Sequence, residues 1–398
     1  MNTDIDTYKQ RIFDALDPLE PDCDWLSGSP ERFRLEVCAT INTIAGDDAA
    51  LRKRLEDELL GWGPLQPVWD RAEVEELSVN GREDVWVVVG GTREKVAVTL
   101  APGQLMRLVE SHLARVGRQI SHAQPLVDAT LADGARISAQ APGISLSPEG
   151  SFTLRRQGAT IHTLDSLLQE GQMDARTNRL LRAAVQKQAN ILVAGSPGAG
   201  KTTLVSAMLG EIPSSCRLVS LEDVAELRAP PALNWLGLLS RPAGAEGTGA
   251  VDFRALLRIV KRVSPDYIAV GEVRGEGAAE LLMAMRAGDG GTLGTIHAAD
   301  AETAIHEFAT LAARGHPNPD LVKQHVVEAL SLVIYVSRQR GGEEDGKRRI
   351  MEVVRPRWRH GKLEVTPVIR WSAQARCWEF EDVTCFHHFE AAVGDEPC

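Results

Sequence analysis

Residues Gly195 to Thr202 read Gly-Ser-Pro-Gly-Ala-Gly-Lys-Thr, and no other stretch so narrows what the chain can fold into. The spacing G-x-x-x-x-G-K-[ST] is that of a phosphate-binding loop, whose glycines let backbone N–H groups close around phosphates where side chains would collide. Gly195, Ser196, Pro197, Gly198, Ala199 and Gly200 would form the cradle, and Lys201 would reach the β- and γ-phosphates. Thr202 would offer its hydroxyl to Mg²⁺, with Thr203 beside it on a helix whose positive end faces the anion. So short a pattern also occurs by chance in unrelated chains. Here an apolar strand, Ile191 to Ala194, runs in and an apolar-periodic helix, Leu204 to Ile212, runs out, which is the setting the motif requires. The loop implies a nucleoside triphosphate, read as ATP with Mg²⁺. Taken alone, it fits a kinase or a GTPase equally well.

Hydrolysis needs more than a cradle, because a carboxylate must hold the metal or activate water. Glu222-Asp223 follows the apolar run RLVSL, and Glu272 follows YIAVG. Both would stand at the carboxyl edge of a sheet, where open α/β folds bind ligands. Glu272 is the expected general base, and Glu222 is expected to join Thr202 in holding the metal. Either carboxylate taken singly could be a solvated strand end or a structural ion pair; their joint occurrence after the loop favours the site. His297 ends the strand TLGTIHA, and position alone does not separate a core histidine from a catalytic one.

At 398 residues the chain has room for two or three domains. Residues 1–60 read as a helical appendage: Ser29-Pro30-Glu31 supplies a cap and a first-turn proline, and a second run opens at Asp47. From residue 61 to 157 the pattern turns to period two, with turns at Asn80-Gly81 and Gly90-Gly91 and one helix around Leu105 to Val116, giving an α+β domain. Residues 158–175 show no clear periodicity and read as a linker. From 176 to 398 apolar strands alternate with helices, as in a parallel sheet covered on both faces, and RRIMEVVR with KLEVTPVIRW reads as a terminal hairpin. A net charge of −11 argues against sequence-independent nucleic-acid binding, which needs a basic surface. The six cysteines show neither paired nor regular spacing, so a reducing cytoplasm fits. Cys377, Cys385, His387 and His388 match no structural zinc pattern. No apolar run approaches the roughly 18 residues that span a bilayer, so any membrane role is expected to be peripheral.

Taken in order, GSPGAGKTT, LVSLEDVAEL, SPDYIAVGEVRG and GTLGTIHA resemble the Walker A, Asp, Walker B and His boxes of the type II/type IV secretion ATPases. GWGPLQPVWDRAEVEELSVNG, LVDATLADGARISA and SFTLRR resemble that family's N-terminal domain, so the likeness spans roughly residues 50–370. Within the family, GWGPL, SVNG and RPAGAEGTGAVDFRALLR are most similar to the tight-adherence (Flp-type) pilus-assembly branch, with conjugation-system ATPases close behind. The resemblance implies a RecA-like ATPase domain after a smaller α+β domain, and a homohexamer that hydrolyses ATP between the two domains. It also implies force passed to inner-membrane platform proteins at the cytoplasmic face, with no stable nucleic-acid partner. Carried over by position, Glu222, Glu272 and His297 take the Asp-box, Walker B and His-box roles, and Arg136, Arg155 and Arg156 match N-terminal-domain arginines that stabilise transition-state charge. An exposed strand arginine facing solvent is the plainer reading of each. Where the family's His box opens Gly-His-Asp-Gly, this chain has Gly288-Asp289-Gly290-Gly291, and the tetracysteine module of the type II export ATPases is absent. A nucleic-acid motor and a nucleotide switch without steady turnover are the competing readings.

Overall fold

The computed structural model describes residues 3–16, 30–156, 162–241, 249–260, 262–275, 277–288, 291–339, 346–382 and 389. They fall into two units, 1–158 and 159–398. The first opens with helices α1 (Thr3–Leu16), α2 (Pro30–Ala45) and α3 (Ala49–Leu59). Their apolar faces bring Ile5, Ile12, Val37, Ile41 and Leu55 into one small core. Asp48 starts α3 by accepting the Leu51 N–H at 2.9 Å. This core is distinct from that of the sheet that follows, and both lie in the first unit. Arg115 donates to the Leu60 carbonyl at 2.6 Å, and a 3₁₀ turn, Gly63–Leu65, runs straight into α4 (Gln66–Trp69).

Strands β1 (Val74–Val79), β2 (Val85–Val89) and β3 (Thr92–Val96), helix α5 (Gln104–Ala114), and strands β4 (Leu126–Thr130), β5 (Arg136–Gln140) and β6 (Ser151–Arg155) follow. The six strands form one antiparallel sheet in the order β3-β2-β1-β6-β5-β4. Alternate residues, among them Leu77, Val79, Val85, Ile137 and Leu154, face a core that Leu105, Val109 and Leu113 of α5 close. The period-two and helical patterns of the sequence therefore share one hydrophobic layer.

In the second unit the elements are α6 (Leu164–Gln169), α7 (Ala175–Gln186), β7 (Ile191–Ala194), α8 (Lys201–Leu209), β8 (Arg217–Glu222) and β9 (Asn234–Leu239). Next come α9 (Phe253–Val260), β10 (Tyr267–Val270), α10 (Gly277–Ala287), β11 (Gly291–Ile296), α11 (Ala301–Ala312) and α12 (Pro319–Ala329). Strands β12 (Leu332–Arg338), β13 (Arg348–Arg359), β14 (Lys362–Ser372) and β15 (Cys377–Phe380) finish it. The nine strands run in the order β15-β14-β13-β12-β7-β11-β10-β8-β9. From β12 to β9 they are parallel; β13 to β15 are antiparallel. Because β7, β10 and β11 are buried along their whole length, each reads as an unbroken apolar run or as small residues rather than as an alternation. An α/β unit preceded by a smaller α+β unit is the fold class the sequence predicts.

Three segments depart from the sequence reading. The stretch 158–175 contains α6, capped by Thr163, whose Leu164 and Leu167 are buried in the core of the second unit; six residues are too few for periodicity to show. The terminal hairpin gains a third strand, β15, where Trp378 meets Trp371 edge-on and Arg349 lies buried against the Trp371 ring. β9 is an edge strand with a run of partly exposed apolar residues, NWLGLL, which carries no period-two signal.

Asn190, just before β7, holds neighbouring elements in place. Its amide donates to the Ala329 carbonyl at 2.9 Å, its side-chain oxygen accepts the Thr292 N–H at 3.1 Å, and its own N–H donates to Ser331 Oγ at 3.2 Å. Asn190→Ala should strand the Thr292 N–H and the Ala329 carbonyl and cost about 2–4 kcal/mol, read as a lower urea midpoint for the second unit.

Candidate functional site

Parallel pairing decides where the chemistry can assemble. With Ala194 opposite Ile296, and Val270 opposite both Gly294 and Leu221, the carboxyl ends of β7, β11, β10 and β8 lie side by side. The residues leaving those ends are Gly195, His297, Gly271-Glu272 and Asp223. The loop from β7 turns back on itself through Gly198 (φ +75°) and Gly200 (φ +97°), left-handed conformations that favour glycine. At Gly195 the constraint is space, since a Cβ there would collide with the Val336 carbonyl of β12. Ser196 and Pro197 are exposed and Ala199 is buried, while Thr202 and Thr203 stand half-buried in the first turn of α8.

Lys201, the first residue of α8, is buried. Its ammonium donates to the Gly195 carbonyl at 2.9 Å and the Ser196 carbonyl at 3.2 Å, and lies 3.1 Å from His297 Nδ1. Burial pushes its pKa below the ordinary lysine value, while the charges of Glu272 and Glu226 pull the other way. His297 Nε2 is 3.3 Å from Glu272 Oε1, and the other Glu272 oxygen accepts from Arg274. With Lys201 donating to Nδ1, the ring proton belongs on Nε2, donated to Glu272. Arg274 also lies 3.7 Å from Asp223, whose carboxylate accepts from Ser240 at 2.6 Å. The hydrogen bond that Arg274 donates to Glu272 raises the Arg274 pKa. Lys201, His297, Glu272 and Arg274 thus form one continuous chain of contacts.

Glu222, expected with Thr202 at the metal, is tied to the turn that follows its strand. It is buried, and its Oε1 accepts the N–H groups of Glu226 and Leu227, each at 2.8 Å. Burial raises its pKa, and the two N–H donors act against that rise. By gripping the turn after β8, Glu222 places Glu226 at the loop: Thr202 Oγ1 donates to Glu226 Oε2 at 3.1 Å. A hydroxyl and a carboxylate side by side form a hard oxygen donor set suited to Mg²⁺. The residues sequence reasoning missed are Glu226 and Arg274. Each has a faint signal, as a third acid in LEDVAEL, four residues past Glu222, and as the cation two residues past Glu272.

In the first unit, Arg136 and Arg155 face each other across β5 and β6, with Arg155 exposed. Arg156 is committed within its own unit. Its guanidinium donates to the Val74 carbonyl at 3.1 Å and to the Trp69 carbonyl, and lies 4.5 Å above the Trp69 ring. Cys377 is exposed, whereas Cys385, His387, His388, Asp289 and Gly290 lie outside the described residues. Among the described residues no cluster of three histidine, cysteine or acidic side chains could hold a metal ion.

The sequence profile of the Type II/IV secretion system protein family matches residues 58–353. The chain belongs to that family. It is 32% identical over 327 residues to a Mycobacterium tuberculosis protein provisionally named for conjugal transfer, covering 80% of this chain and 90% of that one. The type IV secretion system protein PtlH of Bordetella pertussis is 32% identical over 315 residues, 73% of this chain and 92% of PtlH. In structure the chain resembles the pilus retraction motor PilT with bound ADP, with a TM-score of 0.53 and 18% identity over 78% of this chain and 84% of PilT. That level of identity speaks to the fold.

Glu222 and Glu226 are expected to separate by measurement. Glu226→Ala should weaken the Mg²⁺-dependent part of ADP binding about ten-fold with the melting temperature unchanged, whereas Glu222→Ala should lower both, because it strands two buried N–H donors. Calorimetry with and without Mg²⁺, beside a thermal melt, reads the difference.

Proposed function

We propose that this secretion-family chain is an ATP-hydrolysing motor, and that Lys201, His297 and Glu272 do the work at the edge of the parallel sheet. The observation that carries the reading is the joined set of contacts from Lys201 through His297 to Glu272, 3.1 and 3.3 Å in its two steps. Loop N–H groups and the start of α8 hold the triphosphate. On binding, the Lys201 ammonium exchanges the Gly195 and Ser196 carbonyls for the β- and γ-phosphate oxygens, which relieves a buried cation held only by neutral acceptors and more distant carboxylates. Glu272 takes a proton from the attacking water as its oxygen bonds to the γ-phosphorus, the bond to the β-phosphate oxygen breaks, and ADP leaves. His297 orients Glu272, and Arg274 holds the second carboxylate oxygen. Thr202 and Glu226 would hold Mg²⁺, which when bound neutralises charge on the phosphate oxygens. Glu222 acts as the anchor that sets Glu226. Arg136 and Arg155 are the proposed charge stabilisers of the first unit, and Arg156 is assigned to holding that unit together.

The working form in this reading is a homohexamer at the cytoplasmic face of the inner membrane, coupled to platform proteins of a pilus or secretion machine. Among the described residues no helix is long and apolar enough to cross a membrane, which suits attachment through partners. The tight-adherence branch rests on the sequence motifs; the names of the two relatives favour conjugation and type IV secretion as the second reading. Against a nucleic-acid motor stands the net charge of −11.

Lys201→Ala should abolish ATP binding and hydrolysis together, while Glu272→Gln should keep ATP binding and lower turnover by about 10²-fold or more, the lower end of what one acid–base group contributes. Phosphate release by the purified full chain, with nucleotide binding measured alongside, checks both. Equal turnover in all three proteins would remove the site.

A further inference from the structure

At the sheet edge opposite the phosphate loop, strand β13 outruns its neighbour. It pairs with β12 only as far as Val354, opposite Val333, yet continues to Arg359 paired with β14 alone. Residues Arg355 to Arg359 therefore present one edge with no partner strand among the described residues. Beside that edge is a cavity of about 520 Å³, within the roughly 300–1,000 Å³ typical of ligand sites. Its ionic lining is Lys187, Arg355, Arg357 and Arg359 against one acid, Glu328, with the Trp358 indole among them. Arg357 lies 3.7 Å from Asp382 and Arg359 3.8 Å from Glu364, separations at which both cations can take a further anion. The Arg355 side chain makes no hydrogen bond or ion pair with the described residues. So basic a lining stands out in a chain of net charge −11.

We propose that this edge is a docking site for an extended acidic segment of a partner protein, which adds to β13 as a strand. Arg355, Arg357 and Arg359 occupy alternate positions of one regular stretch, so they recur about every 6.6–6.8 Å on one face. That is the repeat of alternate carboxylates on an added strand, and it favours a peptide over a compact anion. Backbone pairing supplies affinity and the arginines supply selectivity. The site is remote from the nucleotide along β13, whose first residue, Arg348, donates to the Gly198 carbonyl of the phosphate loop at 3.3 Å.

The probe is a fluorescein-labelled peptide alternating glutamate with apolar residues, titrated into the full chain and followed by fluorescence anisotropy. Binding is expected, about ten-fold weaker for Arg355→Glu and for Arg357→Glu, lost on N-methylation of alternate peptide amides, and unchanged in Lys201→Ala. The Arg355→Glu protein should keep its ATP turnover and melting temperature, which separates a lost site from a lost fold, and Arg355→Lys should restore most of the binding. No binding, equal binding by a lysine-for-glutamate peptide, or full displacement by inorganic phosphate would overturn the proposal. Binding only to a chain ending at Phe389 would overturn it too, by assigning the edge to the protein's own acidic residues Glu390, Asp395 and Glu396. Because binding does not require hydrolysis, its failure leaves the motor reading untouched, and the reverse holds as well.

Discussion

A buried ammonium is costly to keep unless acceptors and counter-charges surround it, and the second unit is organised around one. Lys201 is inserted beneath the phosphate loop, where the Gly195 and Ser196 carbonyls and the His297 ring take its three N–H donors. The carboxylates of Glu272 and Glu226 stand further out and favour its charge. That arrangement requires the carboxyl ends of β7, β8, β10 and β11 to meet, and only parallel pairing in one register brings them together. A triphosphate placed there meets N–H groups, the start of α8 and a lysine whose donors turn toward it without a new cation being buried.

The same economy of position divides Glu222 from Glu226. Glu222 accepts two backbone N–H groups through one carboxylate oxygen and so fixes the turn that presents Glu226 to Thr202. Among the arginines of the first unit the division is similar. Arg156 closes off the Trp69 and Val74 carbonyls, and the neighbouring pair, Arg136 and Arg155, lies across β5 and β6. Within each set, residue type alone does not tell which side chain is tied to backbone groups of its own unit.

Much of the architecture was legible where burial leaves a periodic trace. Strands β7, β8, β10, β11 and β12 announce themselves as apolar runs, and α5 and α8 by helical spacing of leucine and valine. α6, with six residues, is too short to leave such a trace, and β9 leaves none because its more exposed face carries Trp235 and Leu239 as its half-buried face carries Leu236 and Leu238. The bond from Arg115 to the Leu60 carbonyl, which ties residues 1–60 to the sheet that follows, spans 55 positions and has no local signature.

By itself the sequence determined that Gly195 to Thr202 carry the spacing of a phosphate loop between a strand and a helix, that acids follow at strand ends, and that the fold is α/β behind a smaller α+β unit. Local chemistry suffices for that, since glycine spacing and apolar periods are properties of short segments. Only the tertiary structure decided that Glu226 rather than Glu222 meets Thr202, that His297 joins Lys201 to Glu272, and that Arg156 is committed to its own unit. Those outcomes rest on which way a side chain turns and which backbone donors it must satisfy. Both are settled by neighbours brought from elsewhere in the chain.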